Sequence, residues 1–421
     1  MNTRLSTLPG GLRVATCEMP HAETVSVSIW AAVGGRHEPR RLSGISHFIE
    51  HMIFKGTPRR SARRVMEEIE GVGGDMNAFT AEERTCYYAN APAEFFPRLC
   101  DVLCDIYLHA KFAEGDIELE RGVIAEEILM YQDEPSSHVQ DLLNAHFWPD
   151  HPLGRPLTGT LSSTGALHRE DFLDFRASHY HQRSTVVSAA GRVSHEDVLA
   201  GMKALTEELA SGCLPRAARA PSAARRLRIV TESRDVQQTQ VAIGWPAPSV
   251  QSQDRFALHL LHILLGGNSS SRLFQKLREQ RGLCYSVGTH PNQFADTGQF
   301  NLSIGLDGKN LEKSLALIRS EILRLQESPP RPAELLRAQE YAVGANRMSL
   351  ERPSAQSLRV GGSLLAYGKI ASPESIHARL RAVTADEISH LAKKFLRWES
   401  ATVAAIGPSP EENRIRESLE D

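Results

Sequence analysis

Apolar residues along this chain recur with two alternating periods. "TVSVSIWAAVG" (24–34) alternates small or polar with apolar positions, which predicts a half-buried strand ended by Gly34-Gly35. "SGISHFIEHMIFKGTP" (43–58) then changes to helical spacing. At about 100° per residue, Ile45, Phe48, Ile49, Met52 and Ile53 form one apolar stripe, and His47, Glu50 and His51 share the opposite face. Ser43 is the expected N-cap and Gly56 the expected C′ residue. Further on, "SARRVMEEIEGVGG" reads as a helix stopped by glycines and "DMNAFTAEERTCYYANA" as one or two strands. "AEFFPRLCDVLCDIYLHA" reads as a long helix interrupted by Pro97, followed by helical stretches at 114–134 and 137–148. Strands alternating with amphipathic helices predict an α/β (α+β) fold.

The Ala-, Pro- and Arg-rich segment "ELASGCLPRAARAPSAARRLR" (208–228) lacks apolar periodicity and is the expected linker, dividing the chain into 1–207 and 229–421. It lies near the midpoint, and the two sides resemble each other. "TVSVSIW" (24–30) has a counterpart in "TQVAIGW" (239–245), each followed by a loop and a helix ending near glycine. Setting Lys55-Gly56 against Leu265-Gly266 places His47, Glu50 and His51 on Ala257, Leu260 and Leu261. The second side carries the architecture without the ionisable residues.

A length of 421 residues suits two domains, and 41% hydrophobic with 24% charged residues is ordinary for a globular protein. A net charge of −3 gives no electrostatic footprint for nucleic acid. No apolar run is long enough to span a bilayer, and the opening "MNTRLSTLPGGLRVATCEMP" has no hydrophobic signal core, so a cytoplasmic location is expected. The six cysteines form no CxxC pair, which predicts reduced, mostly buried thiols.

Two histidines four residues apart on a helix can aim imidazole nitrogens at one ion, and zinc takes such ligands at about 2.0–2.1 Å. A solvent-facing polar helix remains the alternative reading of the same residues. A third ligand is expected from another rigid element. "IELERGVIAEEILMYQDEP" supplies Glu120 and Glu127, within about 20° of each other on a helix face, and both can point into one site.

HFIEH with "FKGT", then "GGDMNAFTAEERTCYY", then "ERGVIAEEI", resembles the pitrilysin/insulinase class of inverted-motif zinc peptidases. The likeness is greatest to the mitochondrial processing peptidase catalytic subunit and its bacterial relatives. It extends from "LPGGLRVAT" through "HPLGRPLTG" to "KLREQRGLCYSVG". The resemblance implies that His47, His51 and Glu127 ligate one Zn2+ per chain and that Glu50 is the general base. It implies that Glu120 orients a histidine ligand through its other ring nitrogen. Asn77 and Ala78 would lie on an edge strand that pairs with substrate backbone. Arg278 and Tyr285 would contact substrate near the scissile carbonyl; alone, Tyr285 reads as a core residue and Arg278 as a cation near a helix C-terminus.

The implied fold is two similar halves, each a mixed sheet flanked by helices, forming a clamshell-like chamber. The implied function is a zinc-dependent metalloendopeptidase acting on peptides or unfolded segments, as a homodimer; a noncatalytic partner subunit is the alternative. Two neutral histidines and one carboxylate leave zinc with about +1 formal charge, which brings the pKa of bound water toward roughly 7 and makes that water the nucleophile.

Overall fold

In the computed structural model, which describes residues 2–221 and 226–420, the alternating stretches of the first half form one mixed sheet. Its strands are β1 (Asn2–Thr7), β2 (Arg13–Glu18), β3 (Thr24–Ala31), β4 (Asp75–Thr80), β5 (Thr85–Pro92) and β6 (Thr185–Gly191), in the order β1-β2-β6-β3-β5-β4. Between them run α1 (Ile45–Ile53), α2 (Ala62–Glu70), α3 (Phe96–His109), α4 (Glu114–Asp133) and α5 (Pro135–Phe147). A second sheet contains β7 (Arg228–Ser233), β8 (Thr239–Pro246), β9 (Cys284–Gln293), β10 (Gly298–Leu306) and β11 (Thr402–Gly407), in the order β7-β11-β8-β10-β9. Without β1, the first order becomes the second by exchanging β2, β6, β3, β5 and β4 for β7, β11, β8, β10 and β9. In both sheets the one parallel pair falls at the same place, β2 with β6 and β7 with β11. This is an α/β fold of two similar halves, each a mixed sheet flanked by helices.

The compact units do not follow the chain. One gathers Met1–Met130, Arg155–Ala218 and Met348–Ile370; the other gathers Tyr131–Gly154, Arg219–Arg347 and Ala371–Asp421. Residues 210–221 of the expected linker have no regular secondary structure, and residues 222–225 lie outside the described residues.

β3 is buried almost throughout rather than on one face. Its apolar positions Val25, Val27 and Ile29 join the core with Phe48, Ile49 and Leu103. Its other face is covered by the helix Pro353–Tyr367, whose Val360 and Leu364 pack with Trp30 and Val186. Serine there is not a solvent signal: Ser28 Oγ meets Ser357 Oγ at 2.8 Å. Gly361 is required at this contact, because a Cβ would stand 2.1 Å from Trp30 Nε1. In the other unit α5 plays the matching part, with Val139 and Leu143 buried against Ala242, Ala404 and Ile406 of the second sheet.

Pro97 does not interrupt its helix. It sits in the first turn of α3, after a short 3-10 turn at Ala93–Phe95, where its missing N–H costs no helical bond. The cysteines are free; five are buried and Cys213 is exposed. Among the described residues no helix is long and apolar enough to cross a membrane.

Candidate metal centre

α1 is held by its back. Ile45, Phe48, Ile49, Met52 and Ile53 are buried, and the Phe48 ring lies edge-on to Phe172 with centroids 4.9 Å apart. His47, Glu50 and His51 are left on the half-buried front.

The helix starts differently from the sequence expectation. Ser43 does not cap it; the N-cap is Gly44, at φ 94°, with no side-chain cap of its own. Its first N–H groups are met from six residues upstream by buried Glu38, whose Oε2 accepts from Gly44 N–H and Oε1 from Ser46 N–H, both at 2.8 Å. An anion here also complements the helix dipole. At the other end the C-cap is Phe54, and Gly56 takes φ 105° in the following turn.

Burial pushes the Glu38 carboxyl up to about 7, although the Ser46 and Gly44 N–H groups and Arg155 pull it down. The unfolded chain ionises this group at 4.5, so between that value and about 7 the native state binds more protons than the unfolded state. Stability from this site therefore falls as pH rises through the window, by about 3 kcal/mol. Urea melts should show the parental chain losing stability relative to Glu38→Gln as pH rises across it. A difference that is constant with pH would contradict the assignment.

α4 presents the third group. Ile117, Ile124 and Ile128 of this helix are buried with Glu120, and Glu127 comes two turns after Glu120. His47 Nε2 is 3.7 Å from Glu127 Oε1, and His51 Nε2 is 3.5 Å from Glu127 Oε2. The two imidazoles have centroids 4.6 Å apart, and one donor atom from each of the three residues lies within 4.8 Å of the others. His51 Nδ1 is 3.1 Å from Glu120 Oε2 and donates its proton to that carboxylate, which in the neutral ring leaves the lone pair on His51 Nε2. His47 is held neutral, its pKa lowered to about 4 by burial and then by His51.

The separations of the two Nε2 atoms from Glu127 are long for hydrogen bonds. Two donors bound tetrahedrally to one zinc at about 2.0–2.2 Å stand about 3.3–3.6 Å apart. Nitrogen lone pairs and a carboxylate facing one another at this spacing fit a shared cation, and the three residues are zinc-type ligands. Among the described residues this is the one such cluster of three or more ionisable ligands. The equivalent helix of the second half, Arg255–Leu265, has buried Ala257, Leu260 and Leu261 at the matching positions.

Glu50 stands beside the triad. Its Oε2 accepts a 2.5 Å hydrogen bond from Thr80 Oγ1. Burial raises its pKa, against the lowering effects of Thr80 and His51. Thr80 closes β4, which among the described residues is an edge strand paired only with β5. Asn77 and Ala78 lie in the middle of that strand, where Asn77 Oδ1 accepts from the Ala78 N–H at 2.8 Å.

Arg278 and Tyr285 meet in the other unit. Arg278 lies in a π-helical stretch, Phe274–Glu279, with its guanidinium 4.8 Å from the Phe274 ring centroid and 5.5 Å from that of Tyr285. Tyr285 is 72% exposed, so it is not the core residue that its position after a Gly-Leu turn suggests.

A duplicated α/β chain with a histidine-pair-and-glutamate cluster in one half defines the class, and comparisons agree. Residues 13–161 match the family described as Insulinase (Peptidase family M16), and residues 166–341 match Peptidase M16 inactive domain. The chain is 37% identical to an uncharacterized zinc protease of Streptomyces coelicolor over 421 residues, spanning 98% of this chain and 91% of the relative. It belongs to peptidase family M16. Solved structures share the fold: a protease from Helicobacter pylori aligns with TM-score 0.89 at 21% identity, covering 97% of this chain and 99% of that one. A chain of complex III2 from Candida albicans aligns with TM-score 0.84 at 18% identity, covering 99% of each.

Proposed function

We propose that this chain is a zinc-dependent endopeptidase that hydrolyses peptides or unfolded polypeptide segments. The carrying observation is the convergence of His47, His51 and Glu127 beside Glu50, in the half that matches the insulinase family. In this reading His47 Nε2, His51 Nε2 and a Glu127 oxygen hold the ion, and Glu120 fixes the His51 ring. Zinc at such a donor set supplies a Lewis acid that acidifies water and polarises a carbonyl.

Glu50 moves the proton. Thr80 occupies its Oε2, which leaves Oε1 to take a proton from the attacking water and to return it to the leaving amine. The raised pKa of Glu50 brings this acid closer to working pH. β4 receives the substrate as an added strand along Asn77 and Ala78, and its free edge supports that role. Arg278 and Tyr285 contact substrate; the exposure of Tyr285 and the cation over its ring are compatible with capture. Residues 1–207 are then the zinc-binding catalytic domain and 229–421 the noncatalytic substrate-binding one. We further propose, by family analogy, a cytoplasmic homodimer of processing-peptidase type with one zinc per chain.

The rival is a noncatalytic partner subunit, and the intact set His47, Glu50, His51 and Glu127 favours the enzyme. Metal analysis joined to hydrolysis of a mixed library of unstructured peptides decides between them. One zinc per chain is expected, with turnover abolished by a chelator and restored by zinc. Folded full-length chain that binds no zinc, or turnover indifferent to zinc removal, would sink the proposal.

A further inference from the structure

The "FKGT" that follows α1 contributes a lysine that none of these roles uses. Lys55 comes four residues after His51, and its backbone N–H is tied to the last turn of α1 by a 3.1 Å bond to Met52 O. Its ammonium is ion-paired with Glu120 Oε1. The other oxygen of that carboxylate, Oε2, faces His51 Nδ1. Glu120 is thus gripped at both ends, by a cation and by the ring of a proposed ligand.

This pair differs from an ordinary surface ion pair, which is worth little. The Glu120 side chain is only 8% exposed, so an oxygen deprived of its partner there carries a desolvation penalty and turns toward any other donor. The second histidine has no comparable hold, since buried His47 Nδ1 has no hydrogen-bond partner among the described residues. Among the described residues the hydrogen-bonded hold on the ligand pair is therefore on the His51 side, in the chain Lys55, Glu120, His51.

We propose that Lys55 is a positioning residue for the metal centre: by binding Glu120 Oε1 it keeps Oε2 on the His51 Nδ1–H, and so keeps His51 Nε2 aimed at the point shared with His47 and Glu127. The inference rests on the zinc reading above. The lysine acts through the carboxylate and touches neither metal nor substrate.

The test measures zinc dissociation constants of the full chain by chelator competition for the parent, Lys55→Met, Lys55→Arg, Glu120→Gln and the Lys55→Met/Glu120→Gln double variant. Zinc-free melting temperatures are recorded alongside. Loss of an outer partner of a ligand histidine costs about 10–100-fold in metal affinity, so Lys55→Met should weaken zinc binding by about tenfold. Lys55→Arg, which keeps the cation, should stay within about threefold of the parent. In the Glu120→Gln background, Lys55→Met should change affinity by less than about twofold, because the group it works through is already altered. Should Lys55→Met fail to fold, Lys55→Gln takes its place, with the same expected direction. Parental zinc affinity in the folded Lys55 variant, or effects of the two substitutions that multiply, overturns the proposal. If the parent itself binds no zinc, the metal reading has failed; if the parent binds and Lys55 is silent, only this inference has.

Discussion

Glu50→Gln should retain a full complement of zinc and lose nearly all turnover. The substitution keeps the shape of the side chain and leaves a carbonyl oxygen that can still accept from Thr80 Oγ1, now 2.5 Å from Glu50 Oε2. It leaves His47, His51 and Glu127 untouched, and their atoms rather than those of Glu50 make up the ligand cluster. What disappears is the ability to take and return a proton. Positioned general acid–base groups contribute about 100- to 10,000-fold, so kcat on an unstructured peptide should fall at least that far. KM should move little, because Glu50 is not proposed to bind the resting substrate. Parental turnover in a zinc-loaded Glu50→Gln chain would remove Glu50 from its assigned role, and loss of zinc would make it a ligand instead.

Much of this site could be read from spacing because it is built on helices. The wheel that separates His47, Glu50 and His51 from Ile45, Phe48, Ile49, Met52 and Ile53 describes α1 as it stands, since its buried set contains all five apolar residues. The repeat was legible because the order of elements recurs: β3 and β8, which occupy equivalent places in their sheets, are each followed by a loop and a helix ending near glycine, with the loop differing in length between the two halves. Periodicity reports which side of an element is apolar, but not what covers the other side. β3 looked half-buried because its serines alternate with valines; its second face is closed by the helix Pro353–Tyr367, from more than three hundred residues later. Glu38 was missed because the local rule for an N-cap looks one residue before the helix, whereas here the backbone loops so that a carboxylate six residues earlier fills the role. The Thr80 bond to Glu50 joins a strand to a helix, and no spacing rule reaches across that gap.

Glu127→Ala should abolish zinc binding without unfolding the chain, and thermal stability can separate the two effects. Glu127 is half-buried on the face of α4 that meets His47 and His51, while the buried Ile117, Glu120, Ile124 and Ile128 anchor that helix. Truncation there opens no core cavity. It also removes a carboxylate that, without a cation, faces His47 Nε2 at 3.7 Å and His51 Nε2 at 3.5 Å. The zinc-free variant should therefore melt no lower than the zinc-free parent. Adding zinc separates them: an ion that binds only the native state at 100 times its dissociation constant stabilises by about 2.7 kcal/mol, so the parental Tm rises and the variant's does not. His51→Ala should behave alike in its response to zinc, since it too removes one of the three donors. A Glu127→Ala chain that keeps stoichiometric zinc and shows the parental zinc-dependent rise in Tm would mean that another group supplies the third ligand.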